Sequence, residues 1–132
     1  MQEQRVSYEE MAAKYRGDSE ALCSDHEKLI EQILEEEESL ISNHRHHIDD
    51  IVDLVKQEMM LLHEVDQPGS EVEEYVTKLD GILVHKMQHI MTIRNKLLKF
   101  HKHLKTEEVL SKLYQQMTNA EGSMGDDEML DA

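Results

Sequence analysis

The single proline, Pro68, stands in the run Gln67-Pro68-Gly69-Ser70 near the middle of a 132-residue chain, and no comparable break lies on either side of it. Proline has no backbone N–H to continue a helix and pushes the residue before it out of the helical region, so a helix arriving from the N-terminal side ends there. Immediately afterwards Ser70-Glu71-Val72-Glu73 fits a capping box, in which the Ser70 hydroxyl accepts from the Glu73 N–H and the Glu73 carboxylate reaches back. One helix is expected to end, and a second to begin, at Pro68, Gly69 and Ser70.

Both flanks carry helical periodicity. Leu34, Ile41, Ile48, Val55 and Leu62 follow one another at intervals of seven, an unbroken heptad seam. After the break Val72, Val76, Leu79, Leu83, Lys86, Ile90, Ile93, Leu97, Phe100 and Leu104 alternate steps of four and three, with Lys86 the only polar member. A connection this short predicts an all-α fold built as a long antiparallel helical hairpin, coiled-coil-like, with a helix over 19–66, a turn at 67–70 and a helix over 71–118. The start of the first helix is less sharply marked: Asp18 follows Gly17, and Ser24-Asp25-His26-Glu27 is a second capping-box match, so it lies between about residue 18 and residue 25. Residues 1–18, with a further cap signal at Ser7, read as weakly helical or flexible. Residues 119–132 read as a disordered acidic tail. Both ends are poor candidates for core.

The apolar stripe of the first helix is wider than one facing helix covers, because positions 33 and 34, 40 and 41, 54 and 55, and 61 and 62 are all doubled. Two copies packing into a four-helix dimer would cover the remainder.

Composition supports the class and narrows the partners. With one Phe, four Tyr, no Trp and five Gly, the chain lacks the aromatic residues and turns of a sandwich or barrel. The formal net charge of -15 disfavours nucleic acid and anionic membrane surfaces as partners. The charge divides unevenly: residues 19–66 hold 14 acids and 3 bases, while 71–118 hold 6 acids and 8 bases. Folding about Pro68-Gly69 pairs positions whose numbers sum to about 137, setting Glu35 to Glu38 opposite Lys99 and Lys102, Glu58 near Lys78, and Asp49 and Asp50 near Lys86. A single cysteine, Cys23, forms no internal disulfide and fits a reducing compartment. Met1 is followed by Gln2, Glu3 and Gln4, so no signal peptide is expected, and no apolar run approaches the length of a membrane span.

Nine histidines raise metal binding as a question. His85 and His89 have the i, i+4 spacing of two ligands on one helix face, and the hairpin rule brings His44 and His47 towards them. No His-Glu-x-x-His motif accompanies them, and a solvated helix face is the plainer reading, so no cofactor is expected. From Lys78 to Lys105 there are seven basic residues against one acid, Asp80, a surface suited to an acidic partner such as a tubulin tail unless the facing acidic arm neutralises it. No phosphate-binding loop and no converging nucleophile, base and orienting group occur, so the chain is read as non-catalytic.

The segment from Leu54 through Met59-Met60-Leu61-Leu62-His63-Glu64-Val65-Asp66-Gln67-Pro68-Gly69-Ser70 resembles the carboxy-terminal, non-motor region of the kinesin-13 family, the microtubule-depolymerising kinesins, particularly its plant-type and protist-type members. The likeness continues through Tyr75-Val76, Leu79, Ile82-Leu83, Lys86, Leu97, Phe100 and Leu104, and upstream includes Glu35 to Ile41 and His44-Arg45. The resemblance implies a homodimerising, regulatory module that works with a kinesin motor domain and, through it, with tubulin or microtubules in the cytoplasm. The family's motor domain, and with it ATP hydrolysis, has no counterpart in these residues. The alternative reading is a stand-alone cytosolic helical adaptor, with a His-rich metal or pH-sensing site as its minor version.

Overall fold

A computed structural model describes the backbone of residues 8–131 and the side chains of residues 8–119. It contains three helices, α1 (Tyr8–Tyr15), α2 (Ser19–Val65) and α3 (Val72–Asp131), and no strand among the described residues, which establishes the all-α class. Ser7, the cap expected for the first segment, lies outside the described residues.

The helix ends follow from local chemistry. Between α1 and α2 the chain turns through Arg16 (φ 31°) and Gly17 (φ 84°), the left-handed conformation that glycine adopts without a Cβ penalty. Asp18 then caps α2, its Oδ1 accepting from the Ala21 N–H at 3.1 Å. At the break Gly69 has φ 83°, and the Gln67 N–H donates to the Glu64 carbonyl at 3.1 Å. The Ser70-to-Glu73 capping box is not what forms there. The Ser70 hydroxyl donates backwards to the Val65 carbonyl at 2.8 Å, and α3 starts at Val72, so Glu71 occupies the capping position. A start one residue later than expected leaves Ser70 misplaced for the Glu73 N–H, and its hydroxyl satisfies an orphan carbonyl of α2 instead.

The chain divides into two compact units, one formed by the residues up to Glu37 together with those from Lys99 onward, the other by Glu38–Leu98. In the first, Tyr15, Leu22, Leu110 and Leu113 are buried together, with Tyr8, Met11, Ala12, Ala21, Leu29 and Met117 packed around them. This is why the helical stripe beyond Leu104 is stronger than it looks in sequence: Leu110, Leu113 and Met117 have α1 as a partner. The backbone of α3 accordingly runs past Thr118, as far as Asp131, while the side chains of the acidic stretch from residue 120 lie outside the described residues. The N-terminal segment, expected to contribute little core, places Tyr15 in it.

In the second unit Leu54, Leu61 and Ile82 form the buried cluster, with Ile51, Tyr75 and Leu79 against it. Burying a side chain of this size contributes about 1.5–3 kcal/mol, so Leu54, Leu61 and Ile82 each hold α2 against α3 here.

Candidate interaction surface

Within Glu38–Leu98 the residues that face the other helix and those that face water alternate one position apart. Leu54 is 8% exposed and Val55 38%; Leu61 is 6% and Leu62 52%; Ile82 is 8% and Leu83 43%. The inner row continues through half-buried Leu40, Asn43, His47, Ile51, Glu58 and Val65 on α2, and Tyr75, Leu79, Lys86, His89 and Ile93 on α3. It is interrupted by polar residues. The outer row of α2, made of Ile41, Ile48, Val52, Val55, Met59 and Leu62, is almost wholly apolar, and all six are exposed.

The expected seam therefore divides. On α2, Ile41, Ile48, Val55 and Leu62 lie in the outer row and do not line the α2–α3 contact of this unit. On α3, Leu79 and Ile93 are half-buried in the inner row, whereas Val72, Val76, Leu83, Ile90 and Leu97 are exposed. In the other unit Ile33 is buried and Leu34, the next residue, is exposed, while Phe100 and Leu104 are half-buried. The doubling of 33 with 34, 54 with 55, and 61 with 62 was the sequence signal of two rows. It did not tell which row turns inward.

A one-residue step along a helix is a rotation of about 100°. In two helices running in opposite senses, that step from facing residues turns both outer rows to the same side of the pair. His47 and His89 face each other with ring centroids 6.3 Å apart, and the residues after them are Ile48 and Ile90. Leu54 and Ile82 share a cluster, and after them come Val55 and Leu83. The result is one apolar face, shared by α2 and α3, open to water.

The polar residues of the inner row pair across the helices. Lys86 Nζ lies 2.7 Å from Glu58 Oε1, with both side chains less than a quarter exposed. Lys78 bridges Glu74 at 2.8 Å and Glu64 at 3.9 Å; the hydrogen bond and charge of Lys78 hold the Glu74 carboxyl below its usual range and raise the lysine in return. Asp50 Oδ2 stands 3.7 Å from His89 Nδ1. In the other unit, Glu36 contacts His103 at 2.7 Å and Glu107 contacts His26 at 3.0 Å. Against the 137 rule, Glu58 meets Lys86 rather than Lys78, Asp50 meets His89 rather than Lys86, and Glu36 meets His103 rather than Lys99 or Lys102, while Glu107 falls four places short of the position opposite His26. The packed pairs His47 with His89 and Leu54 with Ile82 stay within one position of the rule, and the charged pairs depart from it because long side chains reach along the axis.

Of the four histidines considered as ligands, His47 and His89 come together beside Asp50, while His44 and His85 are exposed and take no part. Among the described residues no group of three or more His, Cys, Asp or Glu is arranged to hold a metal ion. The His47 Nδ1 is buried without a hydrogen-bond partner. Tyr15, the last residue of α1, donates to Asp25 Oδ2 at 2.6 Å, and burial, then that bond and the aspartate charge, push its hydroxyl up to about 12. No helix among the described residues is long and apolar enough to cross a membrane.

Comparison with known proteins agrees with the Pro68 segment. Over 97 residues, 74% of this chain, the sequence is 42% identical to "Kinesin-like protein KIN-13A" of Oryza sativa subsp. japonica, and over 87 residues, 66% of this chain, 38% identical to "Kinesin-like protein KIN-13B" of Arabidopsis thaliana. No family model matches, and no solved structure does. The matched stretches are 12% and 13% of those proteins' own lengths. The homologues of this chain are thus plant kinesin-13 proteins, of which it corresponds to a small part.

Proposed function

We propose that the chain is a non-catalytic, self-associating module of a kinesin-13-type protein: an antiparallel helical hairpin of α2 and α3 that pairs with a second copy and brings kinesin motor domains under common control at microtubules in the cytoplasm. The observation that carries the reading is the second apolar row. A two-helix pair that functioned alone would have polar residues at Ile41, Ile48, Val55 and Leu62, because exposed apolar heptads on adjoining helices favour association. The polar breaks instead sit in the inner row, at Glu58 with Lys86 and at His47 with His89, where they fix register within one chain. The kinesin-13 homologues supply the context of the motor and the microtubule.

The test is recovery of a partner. A tagged chain expressed in its own cells is expected to co-purify a kinesin-13 heavy chain, and the recovery should fall at least tenfold when Ile48→Asp and Val55→Asp place charges in the outer row. Purification without any kinesin-13 would count against the reading.

A further inference from the structure

Resting on that self-association, the pattern of charges on the open face fixes how two copies meet. In the outer row of α3, Asp80 follows the half-buried Leu79 and Arg94 follows the half-buried Ile93, so both lie on the apolar face, and neither joins an ion pair among the described residues. They stand seven residues to either side of Met87, which is exposed in the same row. On α2 the exposed Asp49 and Lys56 flank the row almost symmetrically about Val52. The apolar members repeat the symmetry: Leu83 and Ile90 about Met87, Ile48 and Val55 about Val52.

We infer that a second copy docks on this face about a two-fold axis that crosses the helices at Met87 and Val52, laying α3 antiparallel on α3 and α2 antiparallel on α2. Asp80 then meets Arg94 of the second copy twice over, and Asp49 meets Lys56 of the second copy. Leu83 packs on Ile90, and Val55 on Ile48, across the axis. The competing arrangement, with the axis along the helices, sets α2 on α3 of the second copy. At the level set by His47 with His89 and Leu54 with Ile82, it pairs Asp80 with Lys56 but leaves Arg94 against Ser42 and Asp49 against Met87, so it forms one kind of ion pair where the first arrangement forms two. Complementary charges across an interface contribute more to register and orientation than to raw affinity, so the Asp80 and Arg94 pair selects between two packings of equal apolar area.

Charge reversal tests this. Asp80→Arg and Arg94→Asp each put two like-charged contacts into the dimer and are expected to raise its dissociation constant roughly tenfold or more, while the double variant D80R/R94D returns it to within about threefold of the parent. The two residues are two heptads apart on one helix and do not touch within a chain, so restoration reports contact between copies. As a second reading, Met87→Cys in a Cys23→Ser chain should oxidise to a disulfide with itself. A parent that is dimeric, with additive losses in the double variant and a disulfide only between mixed Val55→Cys and Leu83→Cys chains, overturns this arrangement and leaves self-association standing. A parent that is monomeric overturns both.

Discussion

Glu58 and Lys86 join α2 to α3 at 2.7 Å, both more than three-quarters withdrawn from water, beside the Leu54, Leu61 and Ile82 cluster. A half-buried ion pair is costly to break from one side only, because the remaining charge keeps its desolvation without its partner. Lys86→Ala is expected to lower unfolding free energy by about 1–3 kcal/mol, whereas the double variant E58L/K86L is expected to be neutral or stabilising. Denaturant melts of the parent and the two variants check this, and a double variant less stable than Lys86→Ala would contradict it.

Leu22 is fully buried, with 0% exposure, among Tyr15, Leu110 and Leu113. Leu22→Ala is expected to cost about 2–5 kcal/mol and to release α1, since removing buried methyl groups leaves a cavity that rigid neighbours close only partly. Limited proteolysis should show new cleavage before Gly17 in the variant and not in the parent.

The Tyr15 hydroxyl, raised to about 12, stays protonated in the folded chain at a pH where an unfolded tyrosine ionises near 10. The folded state then holds more protons between about pH 10 and 12, so its stability is fully present below that window and declines across it, by about 2 kcal/mol at most. Thermal melts from pH 9 to 12 should show this fall, and Tyr15→Phe should flatten it. A phenylalanine variant with the parent's slope would assign the fall to other groups.

His47 carries a buried Nδ1 with no hydrogen-bond partner, beside His89, an uncompensated desolvation. His47→Leu is expected to raise stability by about 1 kcal/mol. Neither EDTA nor added zinc is expected to move the melting temperature of the parent chain, and a shift of several degrees with zinc would contradict this.

The helices were legible in the sequence because Pro68-Gly69 and the heptads are local signals: α2 ends at Val65 and α3 begins at Val72, close to where those residues set them. Rotation about each helix axis was not legible. Two heptads offset by one residue have equal periodicity, and only packing decides that Leu54 turns inward and Val55 outward. The Ser70 cap was misassigned because a start shifted by one residue reverses which helix its hydroxyl serves. The α1 contribution was missed because Tyr15 meets Leu110 and Leu113 across most of the chain's length, a pairing with no local trace. The polar residues of the inner row were legible as cross-helix partners but not in their exact pairing: Glu58, set near Lys78, meets Lys86, and Asp50, set near Lys86, meets His89.

The central claim, that the outer apolar row is covered by a second copy, is tested most directly by the mass in solution. Sedimentation equilibrium at micromolar concentration should give twice the chain mass of 15.4 kDa, falling to the single-chain value when Val55→Asp and Leu83→Asp charge the outer row without loss of helix. A parent chain that sediments at 15.4 kDa across that concentration range would contradict the account.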